Sequence, residues 1–425
     1  MQNGHDPYAA LKYSGFRLFL LGKFLLTVAL QIQAIVASWM IYKITKDPFA
    51  LGLIGLTEAI PALSLALPGG FLADRYNRRK LMLASTFLML VASAGLVVYA
   101  FEDSLQMETW PAYLVIFFIG LARGFYNPAQ SSFWGQLLPK EKYINASVWN
   151  SSLWQVGAVS GPAIGGLCYA WLGPGVTSII VCGLMIVVLV CYFFIKNRPM
   201  PAANREESIR ESLSKGIKFF FGQQILLSAV SLDLFAVLFG GAVALLPAFA
   251  DQVLHTGPEG LGFLRSAPAA GAVLMAAVMA YRPPSKGAGK LMLWCVGGFG
   301  LCMIGFALSE NYFLSLGLLF ASGMFDNVSV VIRSTILQSY TPDEMRGRVS
   351  AVNSIFVGSS NEIGAFESGF AARLLGLVNS VVFGGCMTLA VIPNLETLVR
   401  YFQCQFTDGF RLTVTNCLWL LTHLR

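Results

Sequence analysis

The sequence predicts an all-α membrane protein: twelve transmembrane helices in two pseudo-symmetric six-helix halves, the last helix too short to span cleanly. Three observations predict this. The 425 residues are 56% hydrophobic and only 12% charged, with a mean hydropathy of +0.65, where a soluble protein carries about 25% charged residues. Apolar runs recur at the length of about 20 residues that a helix needs to cross hydrocarbon. Features of the first half also return 203 residues later: Pro139-Lys140-Glu141 as Pro342-Asp343-Glu344, Asn150-Ser151 as Asn353-Ser354, and Gly120, Gly161 and Gly166 as Gly323, Gly364 and Gly369. A constant offset over this much chain indicates duplication.

Taken in order, the spans are expected near 16–42, 50–73, 80–101, 111–137, 144–171 and 175–195, then 224–250, 259–281, 290–308, 312–338, 349–376 and 378–398. An even count puts both termini on one side. Alternate loops carry the cations: Arg75, Arg78, Arg79 and Lys80, then Lys140 and Lys142, then Lys196 to Lys218, then Arg282, Lys286 and Lys290, then Arg346 and Arg348. The other loops carry Glu102, Asp103, Glu108, Asp251, Glu259 and Glu310, with Lys46 as the main basic exception. Cytoplasmic loops hold the excess of Lys and Arg, so the N-terminus is expected inside.

The division expected is an N-terminal half over 1–195, a cytoplasmic linker over 196–222, a C-terminal half over 223–400 and an atypical tail over 401–425. The linker opens with Pro199 and Pro201, and Ser208 to Leu213 has the spacing of a surface-lying amphipathic helix. The twelfth run, Leu377 to Ile392, meets Pro393 after about 24 Å of helix, short of a core of about 30 Å. The tail beyond it lacks period, as an altered reading frame would produce.

A net charge of +7 could suggest nucleic acid, but the cations sit in short loops and read as orientation signals. The eight Cys lack zinc or redox spacing, and most lie inside apolar runs as small core residues. Only three His occur, all apart, and no nucleophile, base and orienting group cluster. Neither an enzyme, a cofactor nor a metal site is expected. The polar start Met1 to Tyr13 leads into an apolar run too long for a cleavable signal, so the first helix is its own insertion signal.

The stretch Gly70-Phe71-Leu72-Ala73-Asp74-Arg75-Tyr76-Asn77-Arg78-Arg79-Lys80 lies between two spans. So many charges are costly in hydrocarbon and demand a tight loop at the surface. It resembles the loop signature of the major facilitator superfamily, departing where Asn77 replaces a glycine; Asn is the non-glycine residue that best tolerates a left-handed backbone. The resemblance implies the major facilitator fold, and a gating role for Gly70, Asp74, Arg75, Arg78 and Arg79 at the inner ends of the helices. Leu232 to Gly241, Thr341 to Val349 and Asn361 to Gly369 are closest to the drug:proton antiporter branch, which holds siderophore and macrolide exporters.

In the fifth span, Gly157-Ala-Val-Ser-Gly161-Pro162-Ala-Ile-Gly165-Gly166 resembles the antiporter signature of efflux members. Glycines four apart let helix backbones approach, and Pro162 permits a bend. The resemblance implies that this bend helps seal the cytoplasmic side and biases the carrier towards export; close packing alone is the other reading.

Charges inside spans are costly and therefore functional candidates. Arg123, in Gly120-Leu-Ala-Arg123-Gly124, is similar to the superfamily's fourth-helix arginine, which implies proton coupling. Its partner in the repeat is Asp326, and the two are expected either to face one cavity or to belong to a locking ion pair. Asp233 in the seventh span is the favoured proton carrier, with Glu58 and Glu362 as rivals. Gln31, Gln33, Asn127, Gln130, Asn150 and Asn353 are uncharged polar residues at membrane depth, suited to helix-to-helix hydrogen bonds, and Phe125, Tyr126, Trp149, Trp154 and Phe235 suit ordinary packing or stacking on an aromatic or cationic substrate.

The expectation is a monomeric, proton-coupled exporter of a small amphipathic compound such as a siderophore or drug, embedded in bacterial inner-membrane lipid. A lipid or lysolipid flippase and a non-transporting sensor or scaffold are the alternatives.

Overall fold

The computed structural model describes residues 8–102, 108–196, 217–240, 242–281, 288–342 and 345–390. The helices are α1 (Ser14–Thr45), α2 (Pro48–Arg75), α3 (Arg78–Phe101), α4 (Trp110–Phe133), α5 (Tyr143–Phe194), α6 (Gln224–Phe239), α7 (Ala242–Gln252), α8 (Pro258–Tyr281), α9 (Ala288–Leu308), α10 (Tyr312–Tyr340) and α11 (Arg346–Leu375), followed by α12 (Leu377–Ala390). Nine helical stretches among the described residues are long and apolar enough to cross a membrane, one of them, Val230–Gln252, running through α6 and α7. In α11, Asn353, Asn361, Glu362 and Glu367 dilute the apolar sequence.

The spans expected over 144–171 and 175–195 follow one another in α5 and part at Gly173, so among the described residues only the seventh span departs from the one-helix-per-span expectation. At 1.5 Å per residue α5 would be about 78 Å long, more than twice the hydrocarbon core. It reverses at Gly173, whose φ of +77° suits glycine, followed by Pro174. Both its ends consequently return to the start of α1: Asn145 accepts the Ala10 N–H at 3.0 Å, and Gly22 lies against the ring of Tyr192. α5 thus makes the fifth and sixth crossings. The seventh, expected as one helix, is interrupted at Gly240 into α6 and α7.

Local chemistry sets the turns. Asp47 caps α2 by accepting the Phe49 N–H at 2.9 Å, with Pro48 at the first helical position. Asn311 caps α10 through the Phe313 and Leu314 N–H groups at 3.0 and 3.1 Å. The expected left-handed conformation at Asn77 is corrected. Its φ is −61°, and its side chain caps α3 by accepting the Lys80 N–H at 3.2 Å. Asn stands there as a helix cap, and the expected charged loop shrinks to Tyr76 and Asn77 between two helix ends.

Within the first half α1 packs on α5, α2 on α4, and α3 on both α4 and α5; within the second, α8 and α9 pack on α10, and α6 on α11. The halves meet through α2 against α11 and α5 against α8. These seams are built from glycine: Gly52 faces Gly369 across one and Gly166 faces Gly262 across the other. Gly55 against Ala365 and Gly262 against Pro162 repeat the same geometry one turn away. Beside the first seam, Phe49 lies 5.9 Å from Phe366 and 6.3 Å from Phe370 between ring centroids. Lys46 pairs with Asp251 at 2.7 Å across the halves, which accounts for the one basic residue among acidic loops. All these contacts lie towards the end of the bundle away from Tyr76 and Asn77, the basic end.

A side chain at Gly369 would run into the backbone of Gly52. Gly369→Val is expected to destabilise the chain by about 1–3 kcal/mol, read as a lower Tm in detergent. An unchanged Tm would refute the close seam.

Residues 217–222 are helical, and Phe220 stacks on Phe356 of α11 at 5.5 Å. The amphipathic stretch Ser208 to Leu213, the end of the twelfth run and the tail 401–425 lie outside the described residues.

Candidate functional site

Between the halves lies a cavity of about 400 Å³, within the range of small-molecule sites. Its walls come from α1, α2, α4, α5, α7, α8 and α11, so both halves contribute. Lys23, Gln31, Gln33, Tyr126, Asn127, Gln130 and Trp154 give it polar and aromatic surface.

Four charged side chains line its centre: Glu58, Arg123, Arg265 and Glu362. The Arg123 guanidinium donates to the Glu58 carboxylate in an ion pair whose side chains are 38% and 22% exposed. Glu362 lies within electrostatic reach of both arginines, and Arg265 within reach of both carboxylates. Glu58 and Arg123 belong to the first half, Glu362 and Arg265 to the second. Opposite charges thus balance across the seam in a site where neither sign could stand alone cheaply.

The sequence makes this possible through small residues beside each charge. A side chain at Gly120 would strike the Glu58 carbonyl and sit 3.0 Å from the Pro61 ring, so glycine lets α4 bring Arg123 against α2. Gly55 does the same on the other side, where a Cβ would lie 3.0 Å from the Glu362 carbonyl oxygen. Tyr126 lines the cavity and is braced from behind by Tyr192, the two hydroxyls being 2.7 Å apart.

The structure brings together Glu58, Arg123 and Glu362 of the expected candidates. It corrects the expected juxtaposition of Arg123 with Asp326. Arg123 is taken by Glu58, while Asp326 lines a separate small cavity with Val237, Cys295 and Phe299, walled by α6, α9 and α10. Asp233 sits on α6 with its side chain outside the described residues.

The antiporter-like glycines have two directions. Gly157, Gly161 and Gly165 face Thr27, Gln31 and Ile32 of α1, whereas Gly166 faces α8. Pro162 lies within α5 without ending it. One motif therefore seats α5 on the cavity-lining helix of its own half and on the opposite half at once.

At the basic end, Arg78 donates to the carbonyls of Ala73 and Ser132 at 3.0 and 3.3 Å. Arg79 donates to Tyr192 O at 2.9 Å and also to Phe193 O, and the Arg75 guanidinium lies 4.1 Å from the centre of the Phe71 ring. These bonds stay within the first half. Asp74's side chain lies outside the described residues. Gly70 has open space where a side chain would go, and it is Gly69 that packs tightly, against Gly124.

Sequence reasoning missed Arg265 and Lys23. Arg265 had a signal: Gly55-x-x-Glu58-x-x-Pro61 returns as Gly262-x-x-Arg265-x-x-Pro268, 207 residues on. That differs from the 203-residue register followed elsewhere, and the paired residue changes sign. Lys23 had only the general signal of a lone cation in an apolar run.

A comparison with known families decides the identity. The sequence pattern of the Major Facilitator Superfamily matches residues 19–395. The chain belongs to this superfamily. Among similar members is the enterobactin exporter EntS of Shigella boydii serotype 18, 26% identical over 392 residues, 91% of this chain and 92% of that protein. EntS of Escherichia coli (strain K12 / MC4100 / BW2952) is 26% identical over 400 residues, 92% of this chain and 94% of that one. Solved structures of the same fold include a bacterial homolog of the human lysosomal transporter Spinster, inward-facing and unoccupied, with a TM-score of 0.71 at 14% identity over 93% of this chain and 97% of that one. A POT family transporter in complex with a thioalcohol-conjugated peptide has a TM-score of 0.72 at 13% identity, over 91% and 96% of the two chains. This superfamily member is a multi-pass membrane transporter of small molecules and not an enzyme.

Proposed function

We propose that this transporter exports a small amphipathic compound, of the siderophore or drug kind, in exchange for protons. The observation that carries the reading is the charge group shared between the halves: the Glu58–Arg123 ion pair from the first, with Glu362 and Arg265 from the second in the same cavity. A carboxyl placed beside cations and opened to water on one side at a time can take up and release a proton as its surroundings alternate. Glu362 suits this best, because Glu58 is already held by Arg123. Asp233 remains in the proposal as a second proton site, by its place on α6.

Positive loops mark the cytoplasmic side, so the basic end, with the start of α1, faces inward. With the halves touching at the other end, the cavity is offered to the cytoplasm, where an export cargo is loaded. Asp74 and Arg75 would then act as the inner gate, engaging when the halves rock and the glycine seams part. The similarity to EntS over nine-tenths of the chain supports export, and the inner membrane is the proposed location. The division of the chain at 196–222 into two moving halves, acting as one monomer, belongs to the same proposal.

The test is the pH inside proteoliposomes holding the purified protein under an imposed proton gradient, with catecholate siderophores, macrolides and cationic dyes added in turn. A cargo-triggered proton flux is expected for at least one class. Cargo movement with no proton flux would overturn the coupling, and movement of lipid alone would favour a flippase.

A further inference from the structure

We propose that Lys23, Asn150 and Trp154 form a subsite for the anionic group of an aromatic cargo. This rests on the transport reading above and assigns the cargo a chemical class.

The argument begins with charge balance. In the cavity Glu58 is paired with Arg123, and Glu362 lies within reach of Arg265. Two carboxylates thus meet two guanidiniums, and Lys23 is left over. Among the described residues its ammonium has a neutral partner, donating to Asn150 Oδ1 at 2.7 Å, and no carboxylate within 4.0 Å. Lys23 stands nine residues into α1, about 14 Å by helical rise, where a cation among apolar residues is costly and therefore a functional candidate. A lysine whose only purpose was to tie α1 to α5 would do so more cheaply as glutamine. An ammonium has three donors, so one bond to Asn150 leaves donors for a ligand.

The second observation is what surrounds that charge. Trp154 follows Asn150 by four residues on α5, hence one turn along the same face. It lines the same cavity with half its surface exposed. Large exposed rings elsewhere on the chain, such as Trp171 and Trp294, lie outside the cavity lining. Beyond Lys23 on α1, Thr27 and Gln31 continue the wall at helical spacing, and Gly157 and Gly161 seat α5 against them. The wall therefore offers one cation without a carboxylate, a flat ring one turn of α5 from that cation's partner Asn150, and neutral hydrogen-bonding groups further along α1. An indole ring alone would favour a cation. The unbalanced ammonium reverses that preference, so the group fitting both is a carboxylate or phenolate carried on a ring.

The test uses the full chain in nanodiscs with three ring-matched probes: 1-naphthoate, neutral 1-naphthamide and cationic 1-naphthylmethylammonium. Equilibrium binding should favour the anion over the amide by at least about tenfold, the scale of one charge-assisted hydrogen bond. Lys23→Met should erase that preference by weakening the anion far more than the amide, Lys23→Arg should keep it, and Trp154→Ala should weaken anion and amide together. Should Lys23→Met fail to fold, Asn150→Asp provides the second route, since a carboxylate beside Lys23 should abolish the preference equally. The proposal is overturned by a wild type that binds the three probes alike, or by an anion preference surviving both substitutions. Binding needs no proton gradient. A wild type without the preference but with cargo-driven proton flux therefore sinks the subsite alone, and a wild type with the preference but without that flux sinks the coupling alone.

Discussion

Glu362→Gln is expected to abolish cargo-driven proton movement while leaving exchange of labelled cargo across the membrane intact. Glutamine keeps the shape and hydrogen-bonding reach of the side chain but cannot carry a proton. The loss should be at least about a hundredfold, the scale of removing an essential proton-transfer group. Asp233→Asn is the comparison. If it uncouples transport while Glu362→Gln does not, the proton site moves to α6 and the central charge group becomes a lock. The measurement is proton flux alongside cargo counterflow in the same vesicles, because counterflow shows that the variant still cycles.

The second large effect concerns the Glu58–Arg123 pair. Arg123→Met leaves Glu58 facing the cavity without its partner, and removing one member of a fully buried pair costs about 3–5 kcal/mol. Arg123 is 38% exposed to the cavity, and solvent there screens the orphaned charge, so about 1–3 kcal/mol is expected instead. The double variant Arg123→Met with Glu58→Gln should recover most of that loss, because it removes the orphan along with the pair. Thermal unfolding of the two single variants and the double variant gives the coupling directly. Additive losses would show that the pair contributes nothing as a pair.

Much of this architecture was legible in the sequence, for reasons tied to the bilayer. A span must be long and apolar, and a charge inside it is expensive, so Glu58, Arg123 and Glu362 stood out and the structure gathers them in one cavity. The 203-residue repeat announced the two halves, and the glycines it relates, Gly166 and Gly369, are those that seat the halves on each other.

The rest depended on direction, which spacing alone does not give. Arg123 and Asp326 are equivalent in the repeat, yet Gly120 and Gly124 turn Arg123 against α2. Asp326 opens instead onto a small cavity among α6, α9 and α10. Arg265 escaped notice because its register is 207 residues rather than 203 and its counterpart, Glu58, has the opposite sign. Asn77 looked like a glycine substitute and is a helix cap, since an Asn side chain can satisfy an orphaned N–H while the backbone stays at negative φ.

The central claim is that the halves part alternately at each end around the shared charges. Paired spin labels in a cysteine-free background test it most directly, with one pair at Tyr76 and Tyr281 near the basic end and the other at Trp171 and Phe313 near the opposite end, all exposed. Distances measured at neutral and acidic pH, with and without cargo, should move in opposition, one pair closing as the other opens. Two pairs that lengthen together, or that ignore both pH and cargo, would contradict it.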